Sequence, residues 1–201
     1  MSEEFLDIIS KIKAQNPNTE ILLAMMVYRD NGDDYITRYS DFTTDIESQK
    51  AFISKETAGG GGDFEEAVDV AFNEALLKNW SGDFSTKIIV HIADAPAHDE
   101  KIESLFKNIK GLSSKGIKII PVASSGINKK TEYFMRNEAI LTQSIYTYLT
   151  NDSGIGGSHI DATTEEKPEV ELLTSLLVRL INGMHKGDID FENKKIILCE
   201  D

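Results

Sequence analysis

The spacing of apolar residues along the chain changes repeatedly between a helical period and short continuous runs. Such a change predicts helices that alternate with strands. Continuous apolar runs are typical of strands buried on both faces of a parallel sheet. Such a run occurs at residues 21–28, and further parallel strands are predicted at residues 88–92, 116–122 and 144–149. Residues 35–42 alternate and are more polar, which predicts an exposed edge strand that returns antiparallel.

Helical spacing predicts helices at residues 3–14, 46–55, 101–113, 130–141 and 169–183. A further helix is expected after Asp63, with Asp63 as its N-cap and Glu66 in capping-box register. This alternation predicts the α/β class: a doubly wound, mostly parallel sheet with one antiparallel edge strand and helices on both faces. Residues 1–183 are assigned to one domain, and residues 184–201 to a tail that could form a further strand.

The composition argues against several classes of function. The 34 acidic and 21 basic side chains give a net charge of −13 with no Lys/Arg cluster, so neither nucleic acid nor an anionic membrane is an expected partner. No apolar run approaches the roughly 18 residues of a membrane-spanning helix, so we expect no membrane insertion. Cys199 is the single cysteine, which excludes an internal disulfide. The acidic N-terminus does not resemble a signal peptide, and the compartment, whether secreted, cell-surface or cytoplasmic, stays open.

Polar residues follow the predicted strands at the edge where a parallel sheet binds its ligands. The residues expected on this rim are Arg29, Asp30, Gly62, Asp63, Asp94, Ser124, Asp152 and His159. Asp30, Asp63 and Asp94 supply three carboxylates, the oxygen ligands that Mg²⁺ and other hard divalent cations prefer. The other five residues are expected to form the ligand-binding rim: Arg29, Gly62, Ser124, Asp152 and His159.

Simpler interpretations stand beside the metal site. Asp63 and Asp94 could each cap a helix, and the run of four glycines before Asp63 could be only a flexible turn. The four histidines have no metal-ligand spacing, so none of them is expected to be a metal ligand. They are His91, His98, His159 and His185.

Motifs of enzymes are missing from the sequence. There is no Gly-x-Ser-x-Gly elbow for a nucleophilic serine. The glycine run lacks the Lys-Ser/Thr of a P-loop, and Asp63 would repel a phosphate. A non-enzymatic domain is therefore expected.

Four stretches together resemble the von Willebrand factor type A family, in its bacterial and alpha-kinase-associated branch. They are Tyr28-Arg29-Asp30, Asp41-Phe42-Thr43, Gly59 to Ala67, and His91-Ile92-Ala93-Asp94-Ala95-Pro96. The later segment from Asp152 to His159 also resembles that branch, and the likeness extends over roughly residues 3–182.

The resemblance implies a metal-ion-dependent adhesion site on the rim. Its ligands in the family are an Asp-x-Ser-x-Ser after the first strand, a Thr in the next loop, and an Asp after the fourth strand. Asp94 matches the last ligand, and the Thr position falls on Gly62 beside Asp63, with Thr57 a poorer match. The Asp-x-Ser-x-Ser motif is absent, because the chain begins at the family's first helix.

Three explanations account for the missing first strand, which is central in the family's sheet. The chain could be a fragment of a longer protein. Residues 195–199 could instead fill the central gap, which would place Glu200 or Asp201 at the rim. In the third explanation another chain supplies the strand.

The expected function is that of an adhesion-type interaction module with a partial metal site. A protein partner would complete the Mg²⁺ shell with an acidic side chain. The alternative is a metal-free structural or regulatory domain of a larger protein, and a hydrolase or nucleotide-binding enzyme comes third.

Overall fold

A computed structural model describes residues 2–60, 62–124, 126–149 and 171–187, which contain six α-helices and five strands. The helices are α1 (Ser2–Gln15), α2 (Ile46–Ile53), α3 (Val68–Leu77), α4 (Ile102–Ser114), α5 (Lys129–Leu141) and α6 (Leu173–Lys186). The strands are β1 (Met26–Tyr28), β2 (Thr37–Tyr39), β3 (Lys87–Ala93), β4 (Ile117–Ala123) and β5 (Thr147–Tyr148). The α/β class predicted from the sequence is confirmed.

The described strands form two sheets. β1 and β2 pair antiparallel, so the predicted antiparallel strand is present. β3, β4 and β5 form a parallel sheet in that order, with β4 in the centre. The β3–β4 ladder runs in register from Lys87 opposite Ile117 to Ala93 opposite Ala123. The carboxyl ends of β3 and β4 therefore finish at the same edge.

Alternate residues of β4 face two separate apolar layers, as the period of a strand requires. Ile120 and Val122 pack with buried residues of α1 and α6. Ile117 and Ile119 pack on the other face with residues of α3, α4 and α5. The parallel sheet is thus covered by helices on both faces, which is why β4 is the most completely buried strand described.

Two of the apolar runs are less buried than their sequences predict. Residues 21–28 were expected to form one strand buried on both faces, but only Met26–Tyr28 is a strand, and Leu22 is 39% exposed. In β3, Ile92 is 49% exposed, whereas Ile119 in β4 is completely buried. The physical reason is that β1 and β3 are edge strands, each paired on one side among the described residues.

The predicted capping box at Asp63 and Glu66 is wrong. α3 begins at Val68, and its N-cap is Ala67 without a side-chain cap. The Glu66 amide donates to the Pro96 carbonyl at 2.9 Å, in an isolated parallel bridge between Glu66 and Ala97. Glu66 is thus bound to the segment after β3, and neither Asp63 nor Glu66 caps α3.

The last described helix continues beyond the expected domain boundary at residue 183. α6 ends at Lys186, and Gly187 follows in the left-handed conformation, with φ +70°. The tail proper, residues 188–201, lies outside the described residues, as do Asp152 and His159. No helix in the described part of the chain is long and apolar enough to cross a bilayer.

Candidate metal centre

Three side chains with metal-binding groups converge beyond the carboxyl ends of β1 and β3. One ligand atom from each of Asp30, Asp63 and His98 lies within 4.8 Å of the others. Asp30 and His98 are half-buried, and Asp63 is exposed. Each residue comes from a different connection, so the group exists only in the folded chain.

The turn after β1 positions Asp30. The Asp33 amide donates to the Asp30 carbonyl at 3.4 Å, and the Asp30 amide donates back to Oδ2 of Asp33 at 3.3 Å. This reciprocal pair closes the turn that the polar cluster after residue 28 predicts. The turn therefore fixes the backbone position from which the Asp30 side chain extends at the rim.

The Asp63 and His98 segments are tied together by backbone and side-chain contacts. The bridge between Glu66 and Ala97 aligns the two chain segments. Lys130 of α5 adds a clamp, because its ammonium lies 3.0 Å from Glu65 and 2.7 Å from Asp99. The hydrogen bond to Asp99 raises the pKa of Lys130, and the same ammonium lowers the pKa of Glu65.

Arg29 and Gly60 hold the glycine run against the turn of Asp30. The Arg29 guanidinium donates to the Thr57 carbonyl at 2.8 Å and lies 4.6 Å above the Tyr35 ring. Gly60 has φ +112°, and a Cβ there would lie 2.2 Å from Oδ2 of Asp33. Only glycine fits this backbone conformation and this approach.

Asp30 and His98 form a close pair, with 2.6 Å between Oδ1 and Nε2. The hydrogen bond to Asp30 raises the pKa of His98, and the negative charge of Asp30 adds to this shift. Burial by itself raises the pKa of Asp30, but the hydrogen bonds from His98 and from the Asn31 amide outweigh it and leave the pKa below its ordinary value. Without a metal, a proton therefore occupies the space between the two groups.

The carboxylate of Glu66 adds negative charge beside the pair of Asp30 and His98. Its Oε2 is buried and has no hydrogen-bond partner among the described residues. Burial and the charges of neighbouring carboxylates raise its pKa to about 6. These neighbours are Asp30, Asp33, Asp94 and Asp63. A buried carboxylate oxygen without a donor is costly, and a cation would lower that cost.

The donor set fits a divalent cation of intermediate softness. Two carboxylates and an imidazole suit Zn²⁺, Mn²⁺ or Fe²⁺, whereas Mg²⁺ prefers a shell made entirely of oxygen. To bind a cation through Nε2, His98 must lose the proton that it shares with Asp30. The residues present thus fit a metal that competes with a proton, and they fit Mg²⁺ less well.

The structure separates the residues predicted for the rim. Asp30 and Asp63 lie together, whereas Asp94 is exposed and lies outside their group. Gly62 is exposed with open space around it. Ser124 is half-buried, and its amide extends the β3–β4 ladder through a 2.9 Å bond to the Ala93 carbonyl.

His98 is the member of the group that sequence reasoning missed. Its position held a signal, because it follows β3 by five residues in the same rim loop as Asp94. Spacing along the chain does not indicate it, since its partners Asp30 and Asp63 are distant in sequence. Its place after a strand in the predicted topology indicates His98 better than spacing along the sequence does.

Comparisons with known proteins support the fold and leave the family open. No family model matches the chain. The alpha-protein kinase vwkA of Dictyostelium discoideum is 31% identical over 83 residues, which are 41% of this chain and 13% of the kinase. The crystal structure of the conserved hypothetical protein BatB from Bacteroides thetaiotaomicron superposes with a TM-score of 0.59 at 14% identity, over 92% of this chain and 88% of that one. At this identity the likeness to BatB shows a shared α/β fold alone.

Proposed function

We propose that this chain is a non-enzymatic protein-interaction module of the von Willebrand factor type A kind, with a divalent cation at its rim. Asp30, Asp63 and His98 would hold the cation, and an acidic side chain of a protein partner would complete its coordination. The single observation that carries the proposal is the convergence of the three ligand atoms within 4.8 Å.

Further observations support a cation that faces a partner. Asp63 is exposed and Phe64 beside it is 43% exposed, so the site opens toward solvent next to an apolar contact. The net charge of −13 would disfavour an acidic partner, and a bound cation reverses the sign locally. The partial match to an alpha-protein kinase agrees with the branch that the sequence resembles.

One observation favours a second candidate, a metal-free structural or regulatory domain. Asp30 and His98 already satisfy each other at 2.6 Å, so the pair needs no cation to be stable. The two candidates differ in one measurable property, which is whether a divalent cation stabilises the folded chain.

Thermal unfolding with EDTA, Mg²⁺, Mn²⁺ or Zn²⁺ tests the metal site. A cation at about 100 times its dissociation constant stabilises the fold by about 2.7 kcal/mol, or roughly 5–10 °C for a chain of this length. Asp63→Asn should remove this shift and leave the EDTA melt unchanged, since Asp63 is exposed. Asp83→Asn, at an exposed position preceding β3, is the matched control.

A second titration tests the partner's chemistry. N-acetyl-glutamate amide, followed by NMR of the His98 ring, should bind only with the cation present, and its glutamine analogue should not bind. Equal melting temperatures in EDTA and in every cation would reject the metal-dependent module and leave the metal-free domain. A cation shift without glutamate binding would reject the acidic partner alone.

A further inference from the structure

Two members of the candidate metal centre, Asp30 and His98, are attached to different sheets. Asp30 lies two residues after β1, and His98 lies five residues after β3. Among the described strands, β1 pairs with β2 and β3 pairs with β4, and no backbone ladder joins β1 to β3. The distance between Asp30 and His98 therefore depends on contacts between the side chains of the two sheets.

A network of hydrogen bonds between side chains makes such a contact. The Tyr28 hydroxyl, in the last residue of β1, lies 2.9 Å from Nε2 of His91 in β3. Nδ1 of His91 lies 2.8 Å from Oε2 of Glu138 in α5. His91 is 7% exposed and Glu138 is 1% exposed, so these bonds lie away from bulk water. At its other end the network reaches β1 two residues before Asp30.

Aromatic neighbours hold the His91 ring between its two partners. The Phe72 ring of α3 meets it edge-on, with ring centroids 5.0 Å apart and 68° between the ring planes. The Tyr28 ring lies 5.9 Å away, centroid to centroid. Both imidazole nitrogens have a partner, and a buried nitrogen without one is unfavourable. The network thus holds the end of β1 at a defined place against β3.

The helix that carries Glu138 also supports the other half of the site. Lys130, about two turns earlier in α5, lies 3.0 Å from Glu65 and 2.7 Å from Asp99. Each of these two carboxylates lies within two residues of another candidate ligand. α5 is therefore connected to every segment that carries a ligand of the candidate metal centre.

We propose that Tyr28 positions Asp30 against His98, and so sets the geometry of the candidate metal centre. The bonds to His91 and onward to Glu138 hold its hydroxyl in place. Without the hydroxyl, β1 can shift against β3, and the ligand atoms on the two sheets separate. Tyr28 acts through the backbone that leads to Asp30, and it is not itself a ligand. The inference rests on the proposed function only where a cation is measured.

Tyr28→Phe tests the inference, because it removes the hydroxyl and keeps the ring. Ile109→Val is the matched control. Ile109 is completely buried in the apolar layer against which Tyr28 packs. Loss of one buried methyl group destabilises a protein about as much as loss of one hydrogen bond. A difference between the two variants therefore reports on the position of β1 and not on general loosening of the core.

The first measurement needs no metal. In EDTA at fixed pH, the bond to Asp30 shifts the ring nitrogen resonances of His98, and Asp30→Asn provides the spectrum without that bond. Tyr28→Phe should move the His98 resonances toward those of Asp30→Asn. Ile109→Val should leave them at their wild-type positions.

The second measurement is the dissociation constant of Mn²⁺ or Zn²⁺, determined by calorimetric titration. Tyr28→Phe should raise it about 10-fold, at the lower end of the range for groups that orient metal ligands. Glu138→Leu should raise it as well. The double variant should lose no more affinity than the weaker of the two single variants, because residues of one network do not act additively.

The outcomes separate this inference from the proposed function. Movement of the His98 resonances in Tyr28→Phe alone supports the inference, together with a loss of affinity where the wild type binds a cation. Resonances that stay in place in Tyr28→Phe overturn it, and so does equal movement in Ile109→Val. An unchanged dissociation constant in Tyr28→Phe also overturns it. Absence of cation binding by the wild type contradicts the proposed function, and the first measurement then decides the inference.

Discussion

Gly60 connects the glycine run to the turn of Asp30, and its replacement by alanine tests the geometry of the candidate metal centre. The residue has φ +112°, and an added Cβ would lie 2.2 Å from Oδ2 of Asp33. Asp33 would have to move, although its carboxylate accepts a hydrogen bond from the Asp30 amide. The substitution therefore disturbs both the loop that carries Asp63 and the turn that carries Asp30.

The expected cost follows from these two contributions. A non-glycine residue in a sparsely populated backbone region costs about 1–3 kcal/mol. Loss of the hydrogen bond to the Asp30 amide adds about 0.5–1.5 kcal/mol. The two contributions together are about 1.5–4.5 kcal/mol. Because about 1 kcal/mol moves the melting temperature of a chain this long by about 2–4 °C, Gly60→Ala should lower it by roughly 3–18 °C in EDTA.

Gly62→Ala is the matched control in the same loop. Its φ is not positive, and an added Cβ meets nothing within 4 Å. Alanine there reduces the entropy of the unfolded chain, so stability should be unchanged or higher by up to about 1 kcal/mol. Urea unfolding of the two variants decides the matter. If they agree within about 0.5 kcal/mol, the close approach of Gly60 to Asp33 does not exist in solution.

Two other predictions concern protonation and the buried network. In EDTA, the stability lost in His98→Asn should be greatest between about pH 4 and 6.5. The pKa of His98 is raised in the folded chain, so its contribution to stability disappears as the pH rises through that pKa. The pKa of Asp30 is lowered, so its contribution disappears as the pH falls through that pKa. If the pair does not form, urea unfolding would show the same stability difference between variant and wild type at every pH. Glu138→Leu should lower the free energy of unfolding by about 1–3 kcal/mol, because it removes the hydrogen-bond partner 2.8 Å from the buried Nδ1 of His91. Tyr28→Phe, which removes the hydroxyl beside Nε2 of His91, should lower it less. Equal, negligible losses in the same urea assay would contradict the network.

Much of the fold could be predicted because its signals are local. The apolar period of α4 and the continuous run of β4 predict their elements within a residue or two, and both are central to the core. The capping box at Asp63 failed because the same spacing, Asp-x-x-Glu, also occurs where no helix begins. There, a tertiary bridge between Glu66 and Ala97 decides the conformation.

The site could be predicted only as a region. Topology placed Asp30 and Asp63 at one edge, and the structure brings them together. Which third group joins them depends on the path of the loop after β3, where Asp94 is exposed and His98 lies against Asp30. Sequence pattern describes the strand but not the direction of each side chain in the loop behind it.

Sequence pattern also does not predict which strand lies at the edge of a sheet, since β3 and β4 have similar apolar sequences but different burial. Among the described strands, β4 is paired on both edges and β3 on one. Whether the second edge is paired depends on a neighbour that is distant in the chain.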